Sequence, residues 1–201
     1  TTSKTILQMN SSARSNRNAN ALADQSVCAW LATHPQDRPV KRDVGANPLP
    51  HLTEELIGAF FTPAEQRTAE QAALVQRSDQ LIAELQAADV LVLGVPMYNF
   101  GIPSTLKSYF DHIARAGVTF RYTANGPEGL VTGKKAYILA ARGGLYQGTP
   151  KDTQTGYLRD FLAFIGISDV EFIYAEGLNM SAEQHDQAKA AAQQRITELA
   201  H

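Results

Sequence analysis

The sequence has little cysteine and no excess of charge of either sign. Its single cysteine, Cys28, excludes an intramolecular disulfide and any thiolate metal cluster built within one chain. We expect Cys28 to be a buried, inert thiol. Lysine and arginine together number 18 against 20 aspartates and glutamates, for a formal net charge of −2. This balance argues against nucleic acid or an acidic membrane as a partner.

Long hydrophobic runs are also missing from the chain. No stretch approaches the roughly 18 apolar residues of a membrane span, and residues 1–10 lack the apolar core of a signal peptide. We therefore expect a cytoplasmic protein. A length of 201 residues with 44% hydrophobic residues suits one domain over residues 1–201.

Short apolar runs alternate with helical stretches, a pattern typical of a parallel sheet built from β-α-β units. The predicted strands are residues 4–9, 40–44, 90–95, 136–141 and 170–175, the second at an edge because it is short and partly polar. The predicted helices are residues 20–33, 63–88, 104–115, 155–165 and 182–199. Residues 118–133 alternate around an Asn-Gly turn and predict a hairpin before the fourth strand. The predicted class is α/β, a doubly wound five-stranded parallel sheet of flavodoxin-like order 2-1-3-4-5 with helices on both faces.

The third predicted strand breaks abruptly into a loop of aromatic and amide residues. Residues 90–95 are apolar without alternation, as in a central strand covered on both faces. Pro96 and Pro103 fix the backbone around residues 97–102, whose own N–H groups stay available. Ligands of open α/β sheets bind outside the carboxyl ends of strands, so this loop is either a binding wall or an ordinary strand-to-helix connection.

Glycine is absent from residues 10–20, the loop that follows the first predicted strand. The loop therefore fails the dinucleotide-binding and P-loop fingerprints, which need glycine to admit phosphate to the backbone. Its hydroxyls, amides and two arginines precede a helix N-terminus, which suits a monophosphate. The alternative is a solvated loop with a serine or asparagine helix cap.

A glycine pair follows the fourth predicted strand. Gly143 and Gly144 let backbone approach a ligand at a third strand end. In the order 2-1-3-4-5 the ends of the first, third and fourth strands are neighbours, so the three loops are expected to form one site.

Five segments resemble the FMN-dependent NADH-azoreductases, a family also described as NADH:quinone oxidoreductases of flavodoxin-like fold. They are residues 96–100 (PMYNF), 114–122 (ARAGVTFRY), 125–135 (NGPEGLVTGKK), 142–144 (RGG) and 164–167 (FIGI). The similarity runs from near Lys4 to the C-terminal helix. It implies bound FMN, NADH or NADPH as reductant, quinones or azo dyes as acceptors, and a homodimer with its sites at the subunit interface.

The resemblance also implies roles for individual residues. FMN phosphate would be surrounded by Ser12, Arg17, Asn18 and Ala19; the isoalloxazine would be lined by Pro96, Met97, Tyr98, Asn99 and Phe100; its pyrimidine edge would meet Ala141, Arg142, Gly143 and Gly144. The candidates to stack substrate are Tyr122, Tyr146 and Phe164. This chain departs from the family in having Arg17-Asn18-Ala19 in place of Ser-x-Ser and Ala141 in place of a serine. The charge of Arg17 and backbone N–H groups would then replace two hydroxyls at the phosphate.

The cofactor is expected to carry the chemistry, so we predict no side-chain nucleophile and no metal site. The N–H of Asn99 is the expected donor toward flavin N5, and the N–H groups of Gly143 and Gly144 would face N1 and O2. The five histidines show no metal-ligand spacing. Two alternatives remain open from the sequence: a flavodoxin-like single-electron carrier and a non-catalytic FMN-binding module.

Overall fold

A computed structural model describes residues 2–14 and 18–201 of the chain. The described residues form seven strands: β1 (Thr5–Asn10), β2 (Arg38–Asp43), β3 (Val90–Pro96), β4 (Phe120–Thr123), β5 (Gly126–Gly129), β6 (Lys135–Ala141) and β7 (Asp169–Ala175). Five of them pair in parallel in the order β2-β1-β3-β6-β7. This confirms the predicted order 2-1-3-4-5. β4 and β5 form the predicted antiparallel hairpin before the fourth strand of the sheet.

Helices cover both faces of the sheet, as predicted. They are α1 (Asn18–Thr33), α2 (Glu54–Phe61), α3 (Ala69–Ala87), α4 (Ser104–Ile113), α5 (Thr155–Phe164) and α6 (Ala182–Leu199). Side chains alternate across β3: Leu91 and Leu93 pack with α3, α4 and α5, whereas Val90 and Val92 pack with α1 and α6. Every residue of β3 is buried, which explains its unbroken apolar sequence. None of the helices among the described residues is long and apolar enough to cross a membrane.

The predicted start of the helix over residues 63–88 is wrong. α2 and a short 3-10 turn, Ala64–Gln66, precede α3, which begins only at Ala69. Thr68 caps α3: its Oγ1 accepts from the N–H of Gln71 at 3.1 Å, and Gln71 Oε1 accepts from the N–H of Thr68 at 3.0 Å. The sequence Thr62-Pro63 also resembles a helix N-cap. The two hydrogen bonds between Thr68 and Gln71 nevertheless satisfy two N–H groups, and they fix the start of α3 at Ala69.

Two other expectations need correction. The second strand occupies Arg38–Asp43 rather than residues 40–44, because the whole of this polar segment pairs with β1 from Thr5↔Arg38 onward. Its predicted edge position is confirmed. Cys28 is exposed, not buried, because it follows the buried Val27 on α1 and so faces outward.

The hairpin is fastened to the C-terminal end of α5. The N–H of Val131 donates to Ile165 O at 2.8 Å, and a Cβ on Gly129 would lie 2.1 Å from the backbone nitrogen of Gly166. Phe120 of β4 is buried against Phe164, with ring centroids 4.3 Å apart. The hairpin is therefore held on the body of the protein by close backbone packing.

Candidate functional site

A cleft of about 170 Å³ lies at the carboxyl ends of β1, β3, β6 and β7. Its described lining is Ser12, Arg14, Asn18, Ala19, Pro96, Met97, Tyr98, Ala141, Arg142, Gly143, Leu178 and Asn179. The structure thus brings residues of all three predicted loops to one place. Arg17 lies outside the described residues.

The loop after β1 is anchored to its neighbours by polar contacts. Ser11 Oγ donates to Gly94 O at 2.6 Å, and the buried Asn20 accepts from the N–H of Ser12 at 3.3 Å. α1 begins at Asn18, and Asn18 and Ala19 line the cleft, so the first N–H groups of this helix, which have no acceptor within the helix, lie at the cleft. Together with Arg14, they give this end of the cleft the character of an anion site.

Tyr98 reaches across the cleft from the β3 loop to the β1 loop. Its hydroxyl lies 3.3 Å from Ser12 Oγ and accepts from the N–H of Ala13 at 3.1 Å. The tyrosine therefore connects the loop that is predicted to line the isoalloxazine with the loop that is predicted to bind the phosphate.

The loop after β3 contains a tight turn with an unusual backbone. Tyr98 and Gly101 exchange two backbone hydrogen bonds, of 3.1 and 3.0 Å, around Asn99 and Phe100. Asn99 has φ 52° and Phe100 has φ 69°, both in the left-handed region typical of type I′ turns. The N–H groups of Asn99 and Phe100 have no acceptor among the residues that the structure describes. They are free to meet a ligand.

The loop after β6 offers further free backbone donors. The carbonyls of Gly143 and Gly144 accept from the N–H groups of Asn179 and Gly177, whereas their own N–H groups find no acceptor within residues 2–14 and 18–201. A Cβ on Gly143 would lie 2.5 Å from Asn179 Nδ2, and one on Gly144 would lie 2.8 Å from the Tyr146 hydroxyl. A side chain at either position would therefore require Asn179 or Tyr146 to shift, whereas glycine does not.

Arg142 contributes backbone to the cleft but turns its side chain inward. The guanidinium is fully buried and makes a two-pronged pair with Asp152, at 2.8 and 3.0 Å, with Glu176 at 3.3 Å and the ring of Tyr174 beneath it. Burial alone would raise the pKa of Asp152, but hydrogen bonds from Arg142 and Thr155 outweigh it and lower the pKa to about 2. Arg142 thus holds the loop rather than presenting a charge to a ligand.

The three predicted substrate aromatics lie in different places. Tyr146 lies beside Gly144 and packs edge-on to Phe100 with centroids 5.7 Å apart, but neither ring lines the cleft. Phe164 packs against the hairpin. Tyr122, which is 72% exposed, lines a separate groove of about 600 Å³ together with Phe61 and other residues of the hairpin and α2 region. One copy of the chain does not bring Tyr122 to the cleft.

Sequence reasoning missed two lining residues, Leu178 and Asn179, whereas Arg14 is one of the two arginines of the predicted phosphate loop. Leu178 and Asn179 follow β7, whose carboxyl end lies beside that of β6. The sheet order would have pointed to this loop, because neighbouring strand ends share one edge. Among the described residues, no group of three His, Cys, Asp or Glu side chains could hold a metal.

Comparison with known proteins agrees with this geometry. The flavodoxin-like fold family matches residues 4–200, which defines the class of the protein. FMN-dependent NADH:quinone oxidoreductase 6 of Burkholderia lata is 58% identical over 193 residues, covering 96% of this chain and 98% of that protein. A relative from Cellvibrio japonicus with the name FMN-dependent NADH:quinone oxidoreductase is 59% identical, covering 96% of each. The chain belongs to this family of flavodoxin-like oxidoreductases.

Solved structures show the same relationship. Azoreductase AzrA is 29% identical with a TM-score of 0.89, and an azoreductase from Bacillus anthracis is 28% identical with a TM-score of 0.90. Each comparison covers 98% of both chains.

Proposed function

We propose that this chain is an FMN-dependent oxidoreductase that takes a hydride from NADH or NADPH and reduces quinones and azo compounds in two-electron steps. The observation that carries the proposal is a cleft at which the loops after β1, β3 and β6 meet, with the N-terminus of α1 among its lining. The loops after β3 and β6 also carry four backbone N–H groups that have no acceptor among the described residues, those of Asn99, Phe100, Gly143 and Gly144.

The cleft suits a molecule with a phosphate at one end and a flat, polar-edged ring at the other. Gly143, which lines the cleft, and the adjacent Gly144 present backbone without side chains. The volume of about 170 Å³ is below the roughly 300–1,000 Å³ of enclosing ligand pockets, so FMN would be partly exposed. An exposed ring face is what a reaction with two successive partners requires.

At the phosphate end, Ser12, the N-terminus of α1 from Asn18 and the guanidinium of Arg14 would neutralise charge. Arg17 of the same loop would be a second cation, so both Arg14 and Arg17 are proposed to bind the phosphate. These groups replace the two hydroxyls of the family pattern.

At the ring end, backbone donors orient the cofactor and stabilise charge. The N–H of Asn99 would donate toward flavin N5, and the N–H groups of Gly143 and Gly144 would donate toward N1 and O2. Pro96 and Met97 extend this wall, and Ala141 leaves it without a hydroxyl. Bound FMN would supply the hydride chemistry.

No side-chain nucleophile is assigned. Nicotinamide and acceptor share one open face in turn, which gives ping-pong kinetics, and cleavage of an azo bond takes two turnovers. Tyr146, which packs beside Gly144 and Phe100, would stack against the acceptor. Since NADH and NADPH are recycled inside cells, we place the reaction in the cytoplasm.

The proposal includes a homodimer. Five exposed apolar side chains line the groove beside the hairpin: Leu52, Ile57, Phe61, Val118 and Tyr122. An apolar patch of this kind marks an association surface. A second copy seated there would bring the partner's hairpin aromatics toward the open face of the cofactor, which Tyr122 does not reach within its own chain.

Stopped-flow mixing tests the function. FMN-loaded protein is mixed without oxygen with NADH or NADPH, and then with a quinone or an azo dye, with free FMN as the reference. We expect at least one nucleotide to bleach bound FMN faster than free FMN, and the quinone to restore the colour. Equal bleaching of bound and free FMN would contradict the oxidoreductase, and reoxidation by one-electron acceptors alone would indicate a carrier.

A further inference from the structure

Gln154 joins the two loops that form the ring end of the cleft. It is fully buried, although it belongs to a polar loop between β6 and α5. Its Nε2 donates to the carbonyl of Pro96 at 2.9 Å and to that of Gly101 at 3.2 Å. These two carbonyls lie at the beginning and the end of the β3 loop. One side-chain amide therefore fixes both ends of the loop.

The other end of the same amide is anchored just as firmly. Gln154 Oε1 accepts from Arg142 Nη2 at 2.9 Å, and the N–H of Gln154 donates to Asp152 Oδ1 at 3.1 Å. Arg142 is itself held by Asp152 and Glu176. These contacts attach Gln154 to a rigid, buried ion-pair network.

The turn between those carbonyls needs support. Asn99 and Phe100 hold positive φ angles that side-chain-bearing residues rarely adopt, and such conformations persist only where surrounding contacts impose them. Thr153 Oγ1 adds a bond of 2.7 Å to Phe100 O, and the ring of Tyr146 packs edge-on against that of Phe100. All of these contacts come from the loop after β6.

We propose that Gln154 is a positioning residue that couples the Arg142 network to the turn at Asn99 and Phe100, and so sets where their free N–H groups meet the flavin. The proposal rests on the function proposed above. Gln154 is a positioning residue rather than a catalytic one, since its buried side chain lies outside the cleft lining and its amide bonds to Arg142, Pro96 and Gly101. Its effect on the cofactor passes through the backbone of the β3 loop.

The amide suits this position because it both donates and accepts. A glutamate can still accept from Arg142 but has no N–H for the carbonyls of Pro96 and Gly101. A methionine keeps the length and loses both functions. Both Gln154→Glu and Gln154→Met therefore remove support of the turn, and the difference between them measures what anchoring at Arg142 adds. Gln147→Met is the matched control, because Gln147 is an exposed glutamine of the same loop.

Two measurements test the coupling. The first is hydrogen exchange of the peptide covering residues 97–101 in FMN-free protein. The second is the FMN dissociation constant together with the visible absorption and circular dichroism of bound FMN. In both Gln154 variants we expect faster exchange of that peptide, an altered flavin spectrum and FMN binding weaker by about tenfold, the effect of one to two lost hydrogen bonds. The control should match the wild type.

The outcomes of the two proposals are distinguishable. Wild-type exchange and an unchanged flavin spectrum in a folded Gln154→Met protein would overturn the coupling. If wild-type protein fails to bind FMN, the proposed function fails, while exchange of residues 97–101 still decides the coupling. If Gln154→Glu unfolds because of its added buried charge, Gln154→Met alone decides between coupling and no coupling.

Discussion

At the scale of single residues, Phe100 combines a large side chain with a backbone conformation that disfavours one. Its φ of 69° lies where glycine is the favoured residue, and its ring is 48% exposed. We expect Phe100→Gly to be more stable than Phe100→Ala by about 1 kcal/mol, because both lose the ring but only alanine keeps the left-handed strain. Denaturant unfolding of FMN-free protein measures the difference. Equal stabilities would show that the turn relaxes when the ring is removed.

Asp152 makes the stability of the protein depend on acidity. Its folded-state pKa is lowered to about 2 from an ordinary value of 3.8, so its ionised form stabilises the fold above pH 3.8 and this contribution is lost as pH falls toward 2. At pH 7 we expect Asp152→Asn to cost about 2 to 3 kcal/mol, less than the roughly 3–5 kcal/mol for breaking a buried pair, because Glu176 still contacts Arg142.

The pH dependence provides the check. Urea unfolding at several pH values should show the deficit of Asp152→Asn shrinking between about pH 4 and pH 2. Asp169→Asn is the control, since Asp169 pairs with Lys135 at an exposed site where an ion pair contributes about 0–1 kcal/mol. A deficit that is constant across this range would mean that the ionised Asp152 contributes nothing to folding.

Individual residues of the site differ in how well the sequence predicts their roles. Gly143 and Gly144 and the proline-bounded loop were recognisable, because glycine and proline act through the local backbone. The inward orientation of Arg142 was not, because its acidic partners Asp152 and Glu176, which are 10 and 34 residues away, join it only in the fold. Gln154 carries no local signal either. Its importance comes entirely from carbonyls on another loop.

At the scale of elements, Gly94 lets α1 pack closely against β3. A Cβ at this position would lie 2.7 Å from the carbonyl oxygen of Ala19, in the first turn of α1. We expect Gly94→Ala to cost about 1–3 kcal/mol by overpacking and to weaken FMN binding, because the displaced helix end lines the cleft. Thermal unfolding and FMN titration measure the two effects.

The matched substitution in an open site is Gly58→Ala. No atom lies within 4 Å of a Cβ at Gly58, which is in the interior of α2, so alanine should stabilise by up to about 1 kcal/mol through helix propensity. If both alanine variants behave alike, close packing of α1 on β3 is not the reason for glycine at position 94.

The elements themselves were predictable to different degrees. β3 was clear because a strand buried on both faces needs an unbroken apolar run. The start of α3 was not, because Thr62 and Thr68 both resemble N-caps, and the choice between them depends on which pair of hydrogen bonds forms. α2 was missed because its eight residues are too few to show helical periodicity clearly.

At the scale of the whole molecule, the cleft and the apolar groove are two separate surfaces of one chain. Phe61 is 77% exposed in the groove and Tyr122 is 72% exposed beside it. If these surfaces meet in a homodimer, the species in solution has twice the 21.9 kDa of the chain. Sedimentation equilibrium should show this mass, and it should not depend on added FMN if the apolar contact drives association.

Phe61→Asp should dissociate that dimer. Burying an unpaired carboxylate in place of an apolar anchor costs about 2 kcal/mol or more at the centre of an interface, about a 30-fold weaker association. Met180→Asp is the control, because Met180 is an exposed apolar residue outside the groove. We further expect dissociated Phe61→Asp to retain FMN, since the residues proposed to hold its phosphate and ring belong to one chain, but to turn over quinone slowly because the partner's Tyr122 is missing. A Phe61→Asp protein that stays dimeric, or a monomer with full quinone turnover, would contradict an active site shared between two copies.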